Sequence, residues 1–254
     1  MTLDFSTRIF NIQVKKEPPS LSINSSVWHE LSLEQLTCKI RINGNDYRPE
    51  KIRMEKNSSK ELNIVWMFPE AKINLIQRFV SCPEGHLCLY SKLENLSEES
   101  RIFNYISLLE LENPKQPVFG KNQEKARVYE DGGYWGRVRS LNQPVQSSSQ
   151  KTEQVPTAET TGTSQTCWEI YNPVNQKALL VGYITFERWL GTVKVSYNPT
   201  IGVTSWTVGF DGGDLLIDPK ETLQLEDVIF MIGEDPWRLL EEFGDLIKKK
   251  HRIK

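Results

Sequence analysis

The chain has 254 residues, 38% hydrophobic and 25% charged, with a formal net charge of -2. That length suits one large all-β domain, and the near balance of charge excludes the extended basic surface that nucleic acids select. No apolar run approaches the ~20 residues that a membrane-spanning helix needs, and the opening residues, with "VKKEPPS", lack the apolar core of a signal peptide, so a cytoplasmic protein that meets neither membrane nor nucleic acid is the expectation.

Strand signals begin early. "TCKIRINGNDYRP" (37–49) alternates apolar and polar residues up to Asn43-Gly44-Asn45-Asp46, and period-two alternation beside Asn-Gly predicts a hairpin with Asp46 bonded to its own turn. Residues 71–113 read as three long antiparallel strands in succession, a meander. Its first turn holds Pro83, which sets φ, and Gly85, which supplies a positive φ; its second is the polar "NLSEES". Beside the first turn, Cys82, His86 and Cys88 match no common zinc spacing and no second cluster completes four ligands. The thiols therefore read as small apolar side chains, with no metal and no cofactor implied.

In "YEDGGYWGRVRSL" (129–141), Gly132, Gly133 and Gly136 allow a tight exposed loop, and Tyr134 with Trp135 offers the flat ring platform on which sugars stack. Residues 141–166 are nearly free of large apolar side chains and rich in Ser, Thr and Gln. They bury too little to offset backbone ordering, ~1–2 kcal/mol per residue, which predicts a mobile excursion, a flap rather than a linker because both flanks are strand-like. Beyond it, "CWEIYNP", "ALLVGYITFERW", "TVKVSYN", "VTSWTVGF" and "LLIDPKETLQLEDVIFMIG" continue the strands, giving at least a dozen over 1–232 and no helix. Trp28, Trp66, Trp168, Trp189 and Trp206 fall within these patterns and are expected to pack the sheets.

Residues 233–254 change period. Asp235 is a good N-cap, Pro236 suits the first helical position, and Lys248 to Lys250 complement the C-terminal dipole. Trp237, Leu239, Leu240, Phe243, Leu246 and Ile247 recur at three and four and define one apolar stripe. Such a stripe either folds back on the sandwich or packs on a following domain.

Together, "LYSKLENLSEESRIFNYISLLELE", "ALLVGYITFERW" and above all "GEDPWRLLEEFGDLI" resemble the N-terminal domain of family-36 glycoside hydrolases, the α-galactosidase and raffinose-synthase type. The resemblance implies a galactose mutarotase-like supersandwich of two large antiparallel sheets over 1–232. It also implies a connector helix over 233–254 that leads into a (β/α)8 catalytic barrel, on which Trp237, Leu240, Phe243 and Ile247 would pack. In that family the two cleaving carboxylates stand on barrel strands, which this sequence does not contain, so no catalytic residue is assigned.

In part of the family a Trp-Gly loop of the sandwich reaches over the barrel's mouth, which implies contact of Tyr134, Trp135 and Gly136 with a carbohydrate such as a galactoside. The family's fuller loop has a second Trp and a Ser that are missing here. Some bacterial members place an Asp of a "DYR-x-P" stretch in a neighbouring subunit's pocket. Asp46, Tyr47 and Arg48 match that stretch, while Pro49 comes one position early, and a homo-oligomer is thereby implied. The rival readings are a free-standing carbohydrate-binding module and a mutarotase-like epimerase. The latter needs a convergent acid and base, and His29, His86 and His251 show no sign of converging.

Overall fold

Side-chain alternation decides which face of each strand is buried, and here it builds two stacked sheets. The computed structural model describes residues 2–82, 84–131, 136–142 and 160–252. In chain order its strands are β1 (Thr2–Ser6), β2 (Phe10–Lys15), β3 (Ser20–Ser25), β4 (Ser32–Ile42), β5 (Asn45–Tyr47), β6 (Lys51–Ser58), β7 (Glu61–Phe68), β8 (Ile73–Ser81), β9 (Leu87–Asn95) and β10 (Arg101–Glu112). There follow β11 (Arg127–Asp131), β12 (Gly136–Ser140), β13 (Thr160–Ser164), β14 (Cys167–Asn172), β15 (Lys177–Tyr183), β16 (Gly191–Asn198), β17 (Gly202–Ile217), β18 (Thr222–Gln224), β19 (Val228–Gly233) and the helix α1 (Pro236–Lys250).

One sheet has nine strands in the order β1-β2-β3-β4-β10-β17-β16-β13, with β5 beside β4. The other has ten, in the order β12-β11-β14-β15-β19-β9-β8-β7-β6, with β18 beside β9. All the pairings are antiparallel, so the all-β class with one terminal helix is what the structure shows. No described helix is long and apolar enough to cross a membrane.

The core lies between the sheets. Phe119, Trp168, Trp206 and Phe230 form a ring chain across it, with centroids 5.4, 6.4 and 6.5 Å apart in turn. Among the described residues the indole N–H groups of Trp168 and Trp206 have no hydrogen-bond partner, whereas two other polar side chains that cross the core are paired. The Tyr183 hydroxyl lies 2.8 Å from the Gly209 carbonyl and 2.9 Å from that of Thr192, and accepts the Gly209 N–H at 3.2 Å. Gln77 accepts the Trp66 indole N–H at 2.7 Å and donates to the Leu108 carbonyl at 2.9 Å.

Three local expectations are corrected. Residues 71–113 are not one meander: β8 pairs with β9, but β10 enters the other sheet between β4 and β17. Asn95 makes the crossing, because its Nδ2 lies within 3.2 Å of the carbonyls of Glu99, Ile217 and Asp218 while its Oδ1 accepts from the Ser97 N–H and hydroxyl. The end of the 141–166 excursion is the edge strand β13, paired to β16, whose backbone hydrogen bonds order a stretch that has little to bury; 143–159 lie outside the described residues. Trp28 and Trp189 are off the strands, Trp28 buried in a loop and Trp189 edge-on to Phe103 at 5.5 Å.

The helix lies on the outer face of the ten-stranded sheet, over β14, β15 and β19. Strands β15 and β19 are apolar on both faces: Ala178, Leu180, Ile229 and Met231 point outward and need a cover, which Leu239 and Phe243 supply. Asp235 caps the helix by accepting the N–H groups of Trp237 and Arg238. At the far end Lys250 pairs with Asp227 at 2.6 Å. The stripe is thus divided. Phe243, 4% exposed, packs on its own sheet and not on a neighbour, which corrects its assignment; Leu240, Leu246 and Ile247 are half-buried there, and Trp237 is 64% exposed.

A Cβ on Gly182 would fall inside the Phe243 ring. Gly182→Ala is therefore expected to cost about 1–3 kcal/mol, to lower the melting temperature and to speed amide exchange across 236–250 in particular. Equal melting and exchange would show that the helix adjusts without loss.

Candidate functional site

The helix divides the outer face of the ten-stranded sheet into two concave regions. On one side, outward residues of β7, β8, β9 and β18 combine with two loops into an open polar cleft of about 1020 Å³. Arg78 and Tyr90 are cross-strand partners on its floor, with the guanidinium 4.7 Å from the ring centroid.

The cleft's two buried acids are engaged inside the protein, while Glu187 on its rim is exposed. Glu226 is buried, and its Oε1 accepts the N–H groups of Glu187 (2.9 Å), Arg188 (2.7 Å) and Trp189 (3.1 Å), which fixes the loop after β15. Burial pushes its pKa up, but hydrogen bonds from Thr185 and those amides outweigh it, and the carboxyl titrates below its ordinary value. Asp227 is held by Lys250, and Glu94 accepts from Asn74 at 3.4 Å. No histidine lines the cleft: His29 is exposed, His86 borders a separate hollow near Glu242, and the His251 Nε2 lies 3.0 Å from the Ile184 carbonyl.

On the other side, β11, β12 and β14 meet the start of α1 around a smaller cavity of about 200 Å³. Strand register sets its wall: Tyr129 stands opposite both Val138 and Glu169, and Arg127 opposite Tyr171. Trp237 and Leu240 complete it from the helix. Glu169 is 2% exposed, and neither of its carboxylate oxygens has a hydrogen-bond partner. Burial, reinforced by the charge of Asp235, pushes its pKa up to about 8.

The residues singled out by sequence are distributed unevenly over this face. Gly136 opens β12 opposite Asp131, and its missing Cβ makes room for the Tyr129 ring. Tyr134, Trp135, Gly132 and Gly133 lie outside the described residues. Trp237 and Leu240 line the cavity; Phe243 and Ile247 do not.

Asp46 sits in β5 of the other sheet and lines neither region. Its carboxylate takes Arg41 at 2.6 and 3.0 Å, and that hydrogen bonding holds its pKa below the ordinary value, so a cross-strand ion pair replaces the expected bond to its own turn. Cys82 and Cys88 flank the β8–β9 turn; among the described residues no group of three or more His, Cys, Asp or Glu is placed to hold a metal ion. Glu169 escaped the sequence reading, although a lone charge in the apolar run "CWEIYNP" is its visible signal.

Neither a family model nor a curated protein sequence matches the chain. Solved structures match in fold. A variant of the GH36 α-galactosidase AgaA from Geobacillus stearothermophilus, in complex with 1-deoxygalactonojirimycin, superposes with a TM-score of 0.59 at 9% identity, over 92% of this chain and 40% of that one. The α-galactosidase from Lactobacillus brevis gives 0.57 at 8% identity, over 97% of this chain and 41% of that one. A GalM/aldose epimerase homologue from C. elegans gives 0.53 at 7% identity, over 92% and 99%. The likeness is one of fold, galactose mutarotase-like, and the chain spans about 40% of the two α-galactosidases.

The Glu169 carboxyl holds its proton in the folded state up to about pH 8, against an ordinary value of 4.5. Between those values the unfolded chain releases a proton that the native state keeps, so stability falls as pH rises through the window and is flat on either side. Against Glu169→Gln, the wild type should lose on the order of 4 kcal/mol between pH 4.5 and 8 in urea unfolding. Parallel profiles for the two proteins would exclude a titrating buried Glu169.

Proposed function

We propose that the chain is the non-catalytic sandwich portion of an α-galactosidase-like glycoside hydrolase, with residues 1–232 as the sandwich and 233–254 as the connector. It packs on a (β/α)8 catalytic domain or subunit, meeting it through Trp237, Leu240 and Ile247. It contributes to the rim of a sugar pocket through residues 132–136, with Tyr134, Trp135 and Gly136 nearest a galactoside. Asp46 reaches a neighbouring subunit when the protein is a homo-oligomer.

The observation that carries this reading is the commitment of the cleft's two buried acids: Glu226 is bound by three amides and Asp227 by Lys250. Glycoside cleavage and anomer exchange both need an acid and a base free to exchange protons with the sugar. The fold likeness adds support, since it takes up nearly all of this chain and less than half of each α-galactosidase, one of them solved with 1-deoxygalactonojirimycin. An epimerase is the second reading, favoured by the 99% coverage of the C. elegans homologue.

The purified chain is expected to leave p-nitrophenyl α-galactoside uncleaved and galactose mutarotation at its uncatalysed rate by polarimetry, while galactose perturbs its tryptophan fluorescence. Trp135→Ala should remove most of that perturbation and leave melting unchanged. Accelerated mutarotation would establish the epimerase reading, and a fluorescence response indifferent to Trp135→Ala would take residues 132–136 out of the sugar site.

A further inference from the structure

We infer that the cavity at the head of α1 binds an organic cation, an ammonium group seated on the Glu169 carboxylate between the rings of Tyr129, Tyr171 and Trp237. This goes beyond the carbohydrate reading and does not rest on it; it concerns the chain free of the catalytic domain, whose docking on Trp237 and Leu240 would cover the cavity. A carboxyl enclosed by protein with neither oxygen hydrogen-bonded is an exception to how buried polar groups are kept. Glu169 is among the residues that line a cavity of otherwise apolar surface, and a partner reaches its covered oxygens by displacing a side chain of that wall.

The groups around Glu169 leave that partner to come from outside. On its own strand stand Cys167 and Tyr171, on β11 Arg127, Tyr129 and Asp131, on β12 Val138, and on the helix side Asp235, Trp237 and Leu240. Asp235 opposes ionisation. Arg127 is the cation on the cavity wall, but it donates to the Lys125 carbonyl at 3.0 Å and makes no ion pair with Glu169.

The ring faces supply the rest. Tyr and Trp attract a cation through their quadrupoles, most strongly where water is excluded, and ammonium groups are commonly held between several rings and a carboxylate. At about 200 Å³ the cavity suits a single head group rather than a drug-sized ligand. A neutral sugar would leave the carboxyl protonated and gain no ion pair. An ammonium ion instead draws the proton off, so binding releases one proton to solvent below the pKa of the free site.

The test is calorimetric titration of the whole chain between pH 6 and 9 with choline, with its neutral isostere 3,3-dimethylbutanol, and with Nα-acetyl-lysine amide. Choline is expected to bind and the isostere not to. Affinity should rise by about tenfold per pH unit from pH 6 towards 8 and level off above, as Glu169 ionises. Glu169→Gln should weaken choline by about tenfold or more. Trp237→Ala, at an exposed position that leaves folding intact, should weaken it by about threefold. Tighter binding of the lysine derivative than of choline would mark the cation as one carried on a protein side chain, and the reverse a free ammonium compound. Choline binding that is absent at every pH, matched by the isostere, or undiminished in a folded Glu169→Gln variant overturns the proposal; should that variant fail to fold, the wild-type pH profile and Trp237→Ala decide.

Discussion

The structure depends on covering the second face of two strands. β15 and β19 bury one face against the opposite sheet, and the other carries Ala178, Leu180, Ile229 and Met231 towards solvent. Left open, that face would be a contiguous apolar patch of the kind that drives association. The helix closes it with Leu239 and Phe243, and Phe243 fits because Gly182 has no side chain beneath it. The rest of the outer surface follows from where the helix lands. Its start brings Asp235 and Trp237 to Glu169, and its end brings Lys250 to Asp227 and His251 to the Ile184 carbonyl. One docking event thereby makes both the small cavity and one border of the large cleft.

A second constraint acts where the sheets meet at their edges. Glu130, 1% exposed, accepts both Arg137 and Arg139, with the shortest contacts at 2.8 and 2.7 Å. A Cβ on Gly162 of β13 would collide with this cluster, so the edge strand of one sheet lies directly on the ion pairs of the other. Removing charges from water offsets much of what their attraction returns, so the cluster is weak evidence for added stability. Its effect is on register: shifting β13 by one residue would put Thr161 or Thr163 where only a glycine fits.

What the sequence discloses is what local chemistry decides. The β4–β5 hairpin was legible because Asn43 and Gly44 adopt positive φ, 51° and 78°, and Asn-Gly is the pair that tolerates this. The helix was legible from Asp235, Pro236 and the lysines, and the sheets from their alternation. The crossing after β9 was not, since Asn95 meets Ile217 and Asp218 more than a hundred residues away. Nor could the loop after β15 be read as a loop, because Glu226 supplies its ordering from another strand connection. Trp237 lies six residues and about 120° round the helix from Phe243, at the margin of the stripe, and Phe243 reaches the core because Gly182, far along the chain, leaves room for its ring.

The two sides of the helix differ in one physical respect that bears on function. In the cleft every acid with an unfavourable burial has been given amides or a cation, so its charges are part of the scaffold. At Glu169 burial is nearly complete and nothing has been given in return. Stability does not explain such a group, since even its protonated carboxyl leaves buried polar atoms unpaired, which an apolar side chain of the same size would avoid. Its neighbours sharpen the point: Asp235 must stay to cap the helix, so the negative field on Glu169 comes with the contact that covers β15 and β19. A cation entering this cavity would offset the field of Asp235 at Glu169, which ties the site to the seating of the helix.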